Sequence, residues 1–63
     1  MTYVMNITEN ESKTKRVSLE FEGSYKVRTY EKIGGFYSKV KENIYGDEMK
    51  AETRFKKLSR EIA

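Results

Sequence analysis

The 63-residue sequence contains no cysteine, no histidine and no tryptophan. Without cysteine it can form no disulfide, and without cysteine and histidine it lacks the usual ligands of a zinc site. The commonest acid–base and nucleophilic side chains are missing as well, so we expect no catalytic activity, no metal and no cofactor. The sequence also lacks a long apolar run and a signal-peptide pattern, which predicts a cytoplasmic protein without a membrane partner.

The length allows a single domain spanning residues 1–63, with one small core. Charged and apolar residues each make up 37% of the chain, and the regular spacing of the apolar residues indicates a folded domain. A core of this size is only marginally stable when no disulfide or metal supports it. Self-association as a homodimer is therefore expected.

Alternation of apolar and polar residues predicts three strands in the first half of the chain. The alternating segments are residues 3–7, 17–22 and 25–30. The wholly polar run 9–15 predicts a loop, and Gly23-Ser24 predicts a turn. We therefore expect a three-stranded antiparallel meander with one apolar face.

The register of this meander follows from placing apolar side chains on one face and opposite charges on the other. The expected pairs are Phe21–Val27, Leu19–Thr29, Glu20–Arg28 and Glu22–Lys26 in one hairpin, and Ile7–Val17, Met5–Leu19 and Tyr3–Phe21 in the other. An alternative makes residues 24–33 a short helix, because Val27, Tyr30 and Ile33 are spaced by three.

The last third of the chain shows the spacing of an amphipathic helix. Its apolar residues fall within an arc of roughly 120° on a helical wheel. They are Phe36, Tyr37, Val40, Ile44, Ala51, Phe55, Leu58 and Ile62. Gly46 followed by Asp47 suits the end of one helix and the N-cap of another. We expect an α+β fold in which this helix, in two segments broken near Gly46, covers one face of the sheet; an unbroken helix of about 40 Å is the alternative.

A basic and aromatic set of residues provides the first candidate binding site, for nucleic acid. Ammonium and guanidinium groups meet phosphates, and an exposed tyrosine between them can stack on a base. The set consists of Lys13, Lys15, Arg16, Lys26, Arg28, Tyr30 and Lys32. The alternative is that Glu20 and Glu22 neutralise Arg28 and Lys26, which leaves an ordinary solvated surface.

Tyr45 and Met49 provide the second candidate site, for a protein. On a continuous helix both point away from the apolar arc, which favours contact with another chain, including a second copy. The sequence therefore predicts a non-catalytic binding protein, most simply a nucleic-acid-binding or regulatory module. The alternative is a small inhibitor or adaptor, of the kind that bacteriophages and mobile elements encode, which binds a host protein such as a defence nuclease.

Overall fold

The computed structural model describes residues 2–63 and has an α+β fold. Its elements are β1 (Tyr3–Glu9), β2 (Lys15–Phe21), β3 (Tyr25–Ile33), β4 (Phe36–Tyr45) and α1 (Glu48–Ile62). The strands form one antiparallel sheet in the order β1-β2-β3-β4, and α1 packs on one face of it. The fold class is confirmed, whereas the expected number of three strands is wrong.

The core lies between α1 and the two central strands. It consists of five buried residues, Val17, Leu19, Val27, Ala51 and Phe55. Met5, Tyr25, Tyr45, Leu58 and Ile62 pack around them while keeping some exposure. The helix begins beside the end of β4 and ends near the β1–β2 turn, so it crosses the sheet diagonally.

The segment Phe36–Tyr45 is a strand, which corrects the prediction that the helix begins at Phe36. A β-bulge at Val40 interrupts the alternation of β4, because Tyr30 faces Lys39 while Thr29 faces Lys41. The extra residue spaces the apolar positions by three and four, and this spacing imitates a helix. The hairpin itself has a clear cause, since Gly34 and Gly35 both adopt positive φ in a two-residue turn.

The helix starts after Gly46, but the prediction of two helical segments is wrong, because the segment before Gly46 is β4 and α1 is one continuous helix. The Asp47 side chain accepts a hydrogen bond of 2.9 Å from the backbone N–H of Met49 and so caps α1. The predicted apolar positions within α1 face the core as expected. Within residues 2–63, no helix has the length and apolar composition needed to cross a bilayer.

The β2–β3 pairing differs from the expected register by two residues. Leu19 faces Val27 and Phe21 faces Tyr25, because the chain reverses immediately after Phe21 around Gly23, whose φ is 75°. A shift of two keeps every side chain on its predicted face. The same register shows that residues 24–33 are not a helix.

Strand β1 keeps the expected Tyr3–Phe21 pair but not the pairs that follow it. A bulge between Val4 and Asn6 places Thr8, and not Ile7, opposite Val17. The predicted pairs Ile7–Val17 and Met5–Leu19 are therefore wrong. Met5 nevertheless packs against the core as its apolar character requires.

Six side chains from the predicted apolar faces are exposed, which corrects their expected burial: Tyr3, Ile7, Phe21, Phe36, Val40 and Ile44. Val40 is 50% exposed, because the bulge places it on an edge strand away from α1. Phe21 is 38% exposed at the end of β2, where its ring lies 4.9 Å from that of Tyr25 between centroids.

The buried position of Phe55 generates the first testable prediction. Phe55→Ala should lower the free energy of unfolding by roughly 3–5 kcal/mol, because it removes the largest side chain of the core. Thermal melting followed by circular dichroism measures the loss. The control is Met49→Ala, which removes an exposed side chain on the same helix and should change stability by less than about 0.5 kcal/mol. Equal melting of the two variants would contradict the assigned core.

Candidate functional site

The sheet face opposite α1 carries most of the predicted basic set. Arg16, Lys26, Arg28, Tyr30 and Lys32 share this outer face, because they alternate with the core-facing residues of β2 and β3. Lys13 lies in the β1–β2 turn, and Lys15 begins β2 opposite Glu31. The structure thus brings five of the seven predicted residues together on one surface.

Carboxylates occupy the centre of this outer face. Glu20 is only 6% exposed, and it accepts hydrogen bonds from Ser18 Oγ at 2.6 Å, Arg28 Nη1 at 2.9 Å and Tyr30 OH at 3.3 Å. Arg28 Nε also donates to Glu42 at 2.5 Å. A guanidinium held between two carboxylates has its charge matched inside the protein. The expected Glu20–Arg28 contact is confirmed, although the two residues are diagonal and not directly opposite.

A second cluster of contacts surrounds Tyr37, at the end of the outer face beside the β1–β2 turn. Its hydroxyl lies 2.8 Å from a carboxylate oxygen of Glu9 and 2.9 Å from the backbone carbonyl oxygen of Lys13. The Arg16 guanidinium stacks 4.1 Å above the Tyr37 ring and contacts Glu9 at 3.3 Å. Lys32 Nζ lies 5.2 Å from the same ring centroid. These contacts hold the cations against the protein.

The outer face is therefore an ion-pair network. It also includes Lys26, whose Nζ lies 3.9 Å from Oε1 of Glu22. Phosphate binding by the remaining charges of this face stays a prediction. Arg28 and Tyr30 already have partners in the folded chain. Among the predicted set, the exposed side chains without an ion pair in residues 2–63 are Lys13, Lys15 and Lys32.

A separate groove lies between the end of β4 and the first turns of α1, and it contains both residues of the predicted protein site. Its lining consists of Tyr45, Met49, Lys50, Thr53, Arg54 and Lys57. Met49 is 75% exposed. Tyr45 packs partly against the core, and its hydroxyl accepts a hydrogen bond of 3.0 Å from Arg54 Nε. The two predicted residues are thus brought together at one site.

Three cations follow one side of α1 along this groove. Lys50, Arg54 and Lys57 recur at the spacing of four and three residues that keeps side chains on one helical stripe. None of them forms a salt bridge within residues 2–63, whereas Lys56 on another side of the helix contacts Glu52 at 3.7 Å. Among the described residues, those lining the groove include no carboxylate. The groove is consequently a positively charged surface with an apolar floor.

These three cations lie outside the basic site predicted from the sequence. Their spacing of four and three residues is visible in the sequence, but the predicted site consists of strand and turn residues, where cations accompany a tyrosine. Tyr37, Glu9 and Glu42 also lie outside the predicted sites, because the sequence patterns predict a helix at Tyr37 and Glu42 and a loop at Glu9. No group of three potential metal-ligating side chains occurs in the part of the chain that the structure describes.

Compared with models of known protein families, with characterised proteins and with solved structures, the chain matches none. Its function is therefore inferred from the geometry of its surfaces.

The buried carboxylate of Glu20 generates the second testable prediction. Arg28→Ala should lower the free energy of unfolding by about 3 kcal/mol, because it leaves a desolvated charge without its counter-charge. Adding Glu20→Gln to this variant should recover part of the loss, since a neutral amide needs no cation. Urea unfolding of the two single variants and the double variant forms a cycle. Strictly additive losses would show that the two side chains do not interact.

The third prediction concerns acid stability. Hydrogen bonding to Arg28 lowers the pKa of Glu42 below its ordinary value of 4.5, and hydrogen bonding to Tyr37 lowers the pKa of Glu9 in the same way. A lowered pKa in the folded state means that the unfolded chain binds protons first as the pH falls. The stabilisation is therefore complete above the ordinary pKa of 4.5 and is lost progressively below it.

Melting temperatures measured between neutral pH and strong acid test this expectation. Glu42→Gln should melt lower than the parent protein at neutral pH and lose less stability on acidification. The matched control is Glu61→Gln, at an exposed helix position that forms no salt bridge in residues 2–63. An acid transition unchanged by Glu42→Gln would assign the loss of stability to other groups.

Proposed function

We propose that the protein is a non-catalytic protein-binding module that holds an acidic segment of a partner protein in the groove between β4 and α1. The observation that carries this proposal is the stripe of Lys50, Arg54 and Lys57 along a groove without any carboxylate. On the rest of the described surface, acids of the same chain pair with Arg16, Lys26, Arg28, Lys39 and Lys56, whereas Lys13, Lys15, Lys32, Lys41 and Arg60 form no salt bridge. The groove differs in that its three unpaired cations line one concave site. Charge left unmatched in a concave site favours a partner of opposite charge.

Arg54 is prepared for a carboxylate by its contact with Tyr45. Its Nε donates to the tyrosine hydroxyl at 3.0 Å, which fixes the plane of the guanidinium. The two terminal nitrogens then remain free to donate a parallel pair of hydrogen bonds to one carboxylate. Lys50 and Lys57 lie one turn before and one turn after this position, so they meet acidic side chains on either side.

The apolar floor favours a protein over a nucleic acid. Met49 projects from the start of the helix with three quarters of its surface exposed, and methionine adapts its shape to apolar side chains of a partner. Phosphate backbones offer no such contact. The net charge of +3 is also small, whereas affinity for nucleic acid rises with the number of phosphates neutralised.

A module of this kind acts by occupying the surface of its partner. One sheet and one helix form the domain. Its side chains predict no catalytic activity. Binding through one charged groove suits an inhibitor or an adaptor, in agreement with the second hypothesis from the sequence. Nucleic acid remains the competing ligand in the experiment below.

The fourth prediction is tested by nuclear magnetic resonance titration of the labelled protein. One probe is an acidic peptide of alternating glutamate and leucine, and the other is a single-stranded DNA oligonucleotide of similar charge. The peptide should shift the amide signals of the groove residues. Lys50→Glu with Lys57→Glu should weaken its binding about tenfold or more, because each exposed ion pair contributes up to about 1 kcal/mol and reversal adds repulsion.

The matched control is Lys56→Glu with Arg60→Glu, which changes the net charge equally on another side of α1, where these residues line a separate depression with Thr8 and Ser59. This control should retain most of the peptide affinity. Shifts induced only by the oligonucleotide, or centred on Lys15 and Lys32, would overturn the proposal in favour of nucleic acid. Equal weakening by both double variants would show that net charge alone governs binding.

A further inference from the structure

Strand β4 forms one edge of the sheet, and its free side has no partner strand within residues 2–63. It is the longest strand, with ten residues. Large apolar side chains are exposed along it, including Phe36 at 78% and Ile44 at 61%. An exposed edge of this length presents unpaired backbone N–H and C=O groups to any extended chain.

The bulge at Val40 determines how β4 can pair with a copy of itself. Side chains alternate along a regular strand, so two residues lie on the same face of the sheet only if their residue numbers differ by an even number. For two residues on opposite sides of the bulge, the numbers must instead differ by an odd number. Phe36 and Ser38 therefore share the α1 face with Lys41, Asn43 and Tyr45.

One self-pairing register meets this requirement and uses the entire strand. It joins Phe36 to Tyr45, Tyr37 to Ile44, Ser38 to Asn43, Lys39 to Glu42 and Val40 to Lys41, each pair occurring twice about a two-fold axis. In each of the four outer pairs the two side chains lie on the same face of the sheet.

The chemistry of these pairs is complementary. An aromatic pair forms at each end, with Phe36 against Tyr45, and the next pair places Tyr37 against Ile44. Cross-strand aromatic, apolar and opposite-charge pairs each stabilise a sheet. Ser38 faces Asn43, whose buried Nδ2 has no hydrogen-bond partner within residues 2–63. Lys39 faces the carboxylate of Glu42.

We infer that the partner of the β4 edge is a second copy of this chain, paired antiparallel in this register to give a continuous eight-stranded sheet. An isologous contact of this kind closes after two copies. It also covers exposed apolar surface that one helix leaves open. The inference concerns the sheet edge and does not rest on the proposed function of the groove.

The pairing adds a residue to the groove. Tyr45 lines the groove and faces Phe36 of the second copy in this register, so that phenyl ring extends the apolar floor. This location differs from the helix-mediated homodimer expected from the sequence. It retains Tyr45 at the contact and leaves Met49 outside it.

Two features of β4 oppose the pairing, and they set the strength of the contact. Bulges and lysines on an edge strand are common means of preventing association. The register offsets Lys39 with Glu42, but it places Lys41 of both copies on the same face near the axis. Lys41→Thr should therefore tighten the dimer, because it removes this repulsion and adds a residue that favours strands.

Disulfide cross-linking tests the register directly, because the parent protein contains no cysteine. The fifth prediction is that an oxidised, equimolar mixture of Ser38→Cys and Asn43→Cys forms a covalent dimer of the two variants. Each variant alone should cross-link poorly. In a dimer of one variant, the cysteines of the two copies would be five positions out of register, about 17 Å apart. A disulfide requires Cα atoms within about 7 Å.

The control mixture pairs Ser38→Cys with Lys57→Cys, which lies on the helix and should not cross-link. Sedimentation of the parent protein and of Lys41→Thr over a range of concentrations provides the second measurement, with a smaller dissociation constant expected for Lys41→Thr. A parent protein that stays monomeric at the highest concentration would overturn the inference. So would efficient cross-linking between Val4→Cys and Ile7→Cys, which would place the contact at the β1 edge.

Discussion

A single helix of fifteen residues has to cover one face of a four-stranded sheet, and this constraint determines the rest of the structure. A helix is about 10 Å wide, whereas neighbouring strands are spaced by about 4.8 Å, so one helix covers about two strands. Within residues 2–63, the buried core residues accordingly come from β2, β3 and α1. Both edge strands keep apolar side chains exposed, and any binding role has to be sought at these margins.

The face without a helix is closed by its own polar side chains. Glu20 is bonded by Arg28 and Tyr30, and Arg16 stacks over the Tyr37 ring, so ion pairs and a stacked guanidinium form the cover that a second layer would otherwise supply. A buried charge persists only where its partners satisfy it. The alternating cations and tyrosines, which predict a phosphate-binding surface from the sequence, therefore also make contacts that stabilise the sheet.

The sequence predicts what depends on local pattern and fails where one residue changes the pattern. The strands of the first half, the cap at Asp47 and the buried stripe of Ala51 and Phe55 follow from periodicity and capping chemistry. The strand β4 does not, because the bulge at Val40 gives it the apolar spacing of a helix. Gly34-Gly35 between two β-prone segments was the available signal of a hairpin.

The registers show a second limit of prediction from sequence. Opposite charges were expected directly across the β2–β3 hairpin, but side chains as long as arginine and glutamate also meet diagonally. Glu20 thus contacts Arg28 in a register two residues away from the expected one. Charge pairing specifies which face a residue occupies more firmly than it specifies its exact partner.

The groove and the β4 edge meet at Tyr45, which belongs to three parts of the structure. Its ring packs on the core, its hydroxyl positions Arg54, and its backbone lies on the free edge. Any substitution of Tyr45 therefore changes stability, groove geometry and edge pairing together. Lys50 and Lys57 project from the helix alone, and Ser38 lies on the strand alone, so these residues can separate ligand binding from self-association. The strand end thus couples the two surfaces physically, because a second copy seated on β4 would bring its own Phe36 to the floor of the groove.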